Sequence, residues 1–246
     1  MIRHWLLVIV SILAAASASA DIAYFESEPN DKPGEYNATA GAVTLYGSLQ
    51  DGDQDGYVWT VSDDDARKLW TFELHGIPEA RLTQAEIFKL EYADDGEDIT
   101  GQRSLFKMGT RDATRPSIHE NLVFEPGEYL LGFARAGVAE SGGDQEPGAY
   151  RFFIREASLS ITRNPAANTS PGGAQQIRPG ASFTSFETDE TAWYRFDFSE
   201  SDAANRWAIS VRVPVGSEVK ASLHDANGEE LASHKVDEKG RAGFSQ

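Results

Sequence analysis

Large apolar side chains recur at every second position along most of this chain. Tyr57, Trp59 and Val61 alternate with polar or smaller residues, and so do Trp70, Phe72 and Leu74. The same spacing returns at Phe88, Leu90 and Tyr92, at Tyr129, Leu131 and Phe133, and at Tyr150, Phe152 and Ile154. A period of two puts alternate side chains on one face of an extended backbone, so each run predicts a β-strand with one apolar face. Turn dipeptides separate the runs: Asp51-Gly52, Asp95-Gly96, Pro126-Gly127 and Gly142-Gly143. Helical signal is confined to residues 63–69, where Ser62 offers an N-cap oxygen, and to residues 79–86. Trp59, Trp70 and Trp207 share phase with other large residues and are expected in the core, whereas Trp193 breaks phase and is expected to face outward.

Between residues 164 and 180 the composition shifts to Asn, Pro, Gly, Ser and Gln, and afterwards the strand pattern resumes in the same order. Tyr194-Arg-Phe196 parallels Tyr57-Val-Trp59; Trp207, Ile209 and Val211 parallel Trp70, Phe72 and Leu74; and the Asn227-Gly228 turn parallels Asp95-Gly96. The expected fold is all-β: two tandem jelly-roll-like antiparallel β-sandwich modules, over residues 21–158 and 181–246, joined by a linker at 159–180. The second copy stops 18 residues after its Asn227-Gly228 turn, short of a closing hairpin, which reads as a truncated module.

The first 20 residues combine a basic start, an apolar run from Trp5 to Ala16 and Ala18-Ser19-Ala20 ahead of Asp21, the layout of a secretory signal peptide. That run is shorter than the roughly 20 residues a membrane-spanning helix needs, so the mature protein is expected to be exported, periplasmic or secreted, and free of the membrane. Charge narrows the partners. With 22 Lys and Arg against 39 Asp and Glu the chain carries −17, and loss of Arg3 makes 21 − 39 = −18, so there is no basic face for nucleic acid. Cysteine is absent, excluding disulfides and thiolate chemistry.

The acids cluster. Glu26-Ser-Glu28-Pro-Asn30-Asp31 and Asp51-Gly-Asp53-Gln-Asp55-Gly56 concentrate the hard oxygen ligands that calcium takes in sets of six to eight. The second cluster matches the first half of an EF-hand loop, but Ser62 stands where the twelfth-position Glu belongs and a strand pattern follows. The same residues also suit ordinary turns. None of the five histidines falls in a close metal-ligand pair, and no nucleophile elbow or phosphate loop occurs. Paired carboxylates leave one catalytic alternative, a secreted carbohydrate-active hydrolase of sandwich fold.

Phe25-Glu-Ser-Glu-Pro-Asn-Asp31, Gly47-Ser-Leu49, Asp53-x-Asp55, Tyr57-x-Trp59-x-Val61 and Pro126-Gly-Glu-Tyr129 together resemble the bacterial pre-peptidase C-terminal domain, which includes the collagen-binding modules of clostridial collagenases. The resemblance spans residues 24–157, with a degenerate copy over 164–246. It implies a non-catalytic accessory sandwich that binds a matrix or cell-surface polymer or supports a larger secreted protein. It also implies a structural calcium held by Glu26, Glu28, Asn30, Asp31, Asp53 and Asp55. The second copy lacks the acids in its opening segment, so no calcium is expected there.

Overall fold

The structure, a computed structural model, describes residues 22–50, 52–77, 83–93, 98–110, 115–135, 148–157, 162–163, 170–177, 183–184, 191–197, 199 and 206–245. The expected signal peptide and the Asp95-Gly96 and Gly142-Gly143 turns lie outside those residues. Ten strands come first in chain order: β1 (Ile22–Phe25), β2 (Asn37–Ala40), β3 (Val43–Leu49), β4 (Gln54–Val61), β5 (Trp70–Ile77), β6 (Thr83–Tyr92), β7 (Ile99–Gly109), β8 (Ser117–Leu122), β9 (Gly127–Arg135) and β10 (Gly148–Glu156). They build two five-stranded sheets, ordered β1-β3-β10-β5-β8 and β2-β4-β9-β6-β7. The fold is all-β, as the period-two runs require.

Alternation explains the packing. Trp59, Trp70, Phe72, Leu74, Leu131, Phe133, Tyr150, Phe152 and Ile154 point from both sheets into one core and are all essentially inaccessible. Trp59 is its centre, edge-on to Trp70 (5.2 Å), Phe72 (5.5 Å) and Phe124 (5.1 Å); such T-shaped pairs add about 0.5–1.5 kcal/mol each beyond the area they bury. Eight strands pair antiparallel, but β1 lies parallel to β3 and β2 parallel to β4, which departs from the purely antiparallel expectation. The opening segment thus supplies one edge strand to each sheet.

Within residues 63–69 a single 3-10 turn spans Asp65–Arg67, and its N-cap position falls at Asp64, not at the expected Ser62; Ser62 still ties the turn, since Asp65 N donates to Ser62 Oγ (3.2 Å) and Ser62 Oγ donates to Asp65 Oδ2 (2.6 Å). Of the second helical expectation, over residues 79–86, positions 79–82 lie outside the described residues and 83–86 are corrected: Thr83–Tyr92 is a strand, because Ala85 and Ile87 alternate into the core and tertiary burial outweighs local propensity. Phe88 and Leu90 then fall on the outer face of that sheet rather than in the core cluster.

After the sandwich, the described strands pair only two by two: β11 (Thr162–Arg163) with β13 (Phe183–Thr184), β12 (Gln175–Ile177) with β14 (Tyr194–Phe196), β15 (Ala208–Arg212) with β18 (Arg241–Ser245), and β16 (Lys220–His224) with β17 (Glu230–Lys235). Trp207, expected in a core, is half-buried, and Trp193 leans on His224 with ring centroids 5.3 Å apart. This region also reaches back into the sandwich. Val215 is 6% exposed and belongs to the same core cluster as Leu105 and Phe106. Val215 N donates to Val123 O (2.8 Å), Pro214 bridges Val123, and Arg103 Nη1 donates to Gly216 O (3.1 Å).

Candidate metal centre

The strand β4 alternation does not begin at Tyr57. Counting back two residues brings Asp55 onto the same inward face, and its carboxylate is 1% exposed. A carboxylate buried this way must be neutralised or coordinated, since an isolated buried charge is severely penalised. Neither Asp55 oxygen has an aligned hydrogen-bond partner, and the amide oxygen and nitrogen of the fully buried Asn30 have none either.

The opening segment between β1 and β2 brings the other acids to it. Gly56 N donates to Asn30 O (3.1 Å), fixing the segment against the start of β4, and Asn30 N donates to Glu28 Oε2 (3.2 Å). Ser48 N donates to Glu26 Oε2 (2.8 Å), which anchors Glu26 on β3. As a result, carboxylate oxygens of Glu26, Glu28 and Asp55 all lie within 4.8 Å of one another. Of the six residues expected as ligands, these three converge, and Asn30, fully buried, is joined to Glu28 and Gly56 through its backbone. Asp31 is exposed, and Asp53 uses Oδ2 to accept from Gln50 N (3.0 Å); both stand outside the converging trio and act on it through charge.

Burial, reinforced by the facing Glu26 carboxylate, pushes the Asp55 carboxyl up to about 8. Burial and then the charge of Asp53 raise Glu28 as well. Tyr150 stands beside Asp55, its hydroxyl donating to Tyr57 Oη (3.4 Å), and burial followed by the charges of Tyr57 and Asp55 drives its own ionisation far beyond the ordinary phenol range. The orphaned oxygens of Asp55 and Asn30 and the all-oxygen donor set fit a hard divalent cation such as calcium, with water completing the six to eight positions.

Two glycines that clear this space carry no ligand atoms, and only the structure reveals their role. A methyl group on Gly56 would overlap the Tyr36 ring. One on Gly47 would overlap the Tyr150 ring end and stand 2.5 Å from Glu26 Oε2. Gly47→Ala is therefore expected to cost about 1–3 kcal/mol by overpacking and to displace Glu26. Chemical denaturation with and without calcium measures both effects; an unchanged midpoint would show that Tyr150 and Glu26 move aside freely.

A scan against protein-family models returns no match, and neither does a sequence search of curated proteins. Among solved structures, the chain is similar to the pre-peptidase C-terminal domain of collagenase from Bacillus anthracis, with 19% identity, a TM-score of 0.32, and coverage of 51% of this chain and 100% of that one. It is also similar to Aeromonas hydrophila PliG, a periplasmic lysozyme inhibitor of g-type lysozyme, with 13% identity, a TM-score of 0.30, and coverage of 55% of this chain and 100% of that one. The Yersinia pseudotuberculosis-derived mitogen matches at 10% identity and a TM-score of 0.29, over 49% of this chain and 89% of its own. Among the described residues, no helix is long and apolar enough to cross a membrane.

Proposed function

We propose that this chain is an exported, non-catalytic β-sandwich protein that binds an extracellular polymer or supports a partner protein. A structural calcium held by Glu26, Glu28, Asn30 and Asp55 clamps its opening segment. The observation that carries the calcium reading is the buried Asp55 carboxylate, without an aligned partner and within 4.8 Å of carboxylate oxygens of Glu26 and Glu28, together with the buried, unpartnered side-chain amide of Asn30, whose backbone bonds Glu28 and Gly56. The motif resemblance over residues 24–157 and the signal-like first 20 residues support the accessory role and the export. The cation supplies no reaction; it neutralises three carboxylates that otherwise repel, and so ties β1 and β2 to the start of β4.

Thermal unfolding of residues 21–246 in EGTA, magnesium and rising calcium tests this. At a hundredfold excess over Kd, one native-state site adds about 2.7 kcal/mol. For a chain of this size that is a rise of roughly 5–10 °C, saturable and specific to calcium. A flat response overturns the metal reading. Release of reducing ends from polysaccharides overturns the non-catalytic part and favours the paired-carboxylate hydrolase.

A further inference from the structure

The outer face of the β2-β4-β9-β6-β7 sheet is not flat. A groove of about 240 Å³ opens over β4, β9 and β6, walled by the rings of Tyr36 and Phe88 and floored by the paired glycines Gly56 and Gly132. The two glycines have different reasons to be there. Gly56 is required because Tyr36 lies on it. Gly132 is not required by packing: an added Cβ would meet only Glu86 O and Phe88 Cε2, each at 3.8 Å, which is ordinary contact. Nor does its backbone demand glycine, since it is not among the positive-φ residues. Glycine within a strand weakens the strand and marks a place where something approaches the backbone closely.

Phe88 repeats the argument from the apolar side. It belongs to the strand β6 set that faces away from the core, so its ring is presented to the groove and not to the sandwich interior. Gln54, Gln84 and Gln102 also line the groove. Of the acids at the groove, Glu86 is already compensated by Lys107 (2.9 Å) and Ser104 (2.6 Å), so a cationic ligand would have to displace an existing partner. The exposed Asp31 repels anions. What remains is neutral and amphiphilic recognition. Aromatic faces take an apolar ring surface, and amides both donate to and accept from hydroxyls.

We propose that this groove binds one ring of a neutral polysaccharide. The volume lies below the roughly 300–1,000 Å³ of pockets that enclose a drug-sized ligand, so it accepts a single sugar ring while neighbouring units continue along the sheet face. This inference rests on the polymer-binding reading above and names the surface and the ligand class.

Titration calorimetry of residues 21–246 in excess calcium, with cello-, chito-, xylo- and malto-oligosaccharides and a Lys-rich peptide as probes, tests it. At least one neutral oligosaccharide is expected to bind. Phe88→Ala and Gly132→Leu should each weaken that binding by about tenfold or more. Arg155→Ala, on the outer face of the other sheet, should leave it unchanged. Gly132→Leu has room at its Cβ, and an unchanged melting temperature verifies that it folds. Failure of every oligosaccharide at about 10 mM, or binding that survives both groove variants, overturns the proposal. Capture of the Lys-rich peptide alone, lost in the same variants, also overturns it and reassigns the groove to basic protein partners. The calcium response is read separately by melting, so a normal calcium shift without saccharide binding sinks this inference and leaves the metal centre standing.

Discussion

Calcium-free protein carrying Asp55→Asn is expected to outlast the parent at pH 8 and to gain nothing from added calcium. In the folded parent, Asp55 keeps its proton up to about 8, whereas an unfolded aspartate releases it near 3.8. Folding therefore takes up a proton across that window. Stability without calcium then falls as pH rises, by at most about 1.4 kcal/mol per pH unit for one group. Glu28, raised in the same direction, adds to the slope. An amide of equal size never ionises, so the variant escapes this cost, gaining on the order of 2 kcal/mol or more at pH 8. That corresponds to about 4–8 °C for a chain of this length. Below pH 4 the two proteins should converge.

With calcium the slope reverses, because the cation needs the carboxylate ionised. Binding then expels a proton, and affinity rises with pH through the same window. Melting curves from pH 4 to 8 in EGTA and in calcium separate these effects, and calorimetry in buffers of different ionisation enthalpy counts the proton. An Asn variant that keeps its calcium gain would remove Asp55 from the site.

Val215→Asp is expected to unfold the sandwich, not merely to free the C-terminal strands. Val215 is 6% exposed inside the first core, and its amide is bonded to Val123 O (2.8 Å). An uncompensated charge there costs about 3–5 kcal/mol, or roughly 6–20 °C in melting temperature. Val215→Ala, which keeps the backbone bond and loses only methyl groups, should cost about 1–3 kcal/mol. His119 supplies an independent readout. Burial, and then the charges of Lys239, in the turn before β18, and Arg241, at its start, hold it down to about 4. Undocking should return it toward 6.5, visible as an imidazole titration by NMR. Hydrogen exchange that accelerates only over residues 206–245, with the melting temperature unchanged, would show that Val215 is not part of the sandwich core.

Much of this was legible in residue order. The period-two runs at Tyr57, Trp70, Tyr129 and Tyr150 read directly as inward-facing strands, since alternation is a property of the extended backbone itself. Phe88, Leu90 and Tyr92 obeyed the same rule but on the opposite face. A single strand cannot say which of its faces is covered; the opposing sheet, packed against Ala85 and Ile87, decides. The acidic clusters announced a possible site but not its membership. Asp53 and Asp55 look equivalent in a turn, yet Asp55 shares the parity of Tyr57 and Trp59 while Asp53 caps the turn by accepting from Gln50 N. Extending the alternation two residues upstream would have singled out Asp55. The roles of Gly47, Gly56 and Gly132 were not legible, although Gly47 and Gly56 stand in quoted motifs, because what a missing Cβ makes room for is set by chain segments distant in sequence.

The two parallel edge strands have a mechanical consequence. Because β1 borders one sheet and β2 the corresponding edge of the other, residues 22–40 lie across the sandwich like a ribbon over both open ends of its ladders. Peeling that ribbon breaks no antiparallel pairing and leaves two four-stranded sheets still closed on their shared core. On the proposed calcium reading, the Glu26–Asp55 cluster is the knot that keeps it tied, and removing the cation is expected to let β3 and β4 present bare edges to a neighbouring chain.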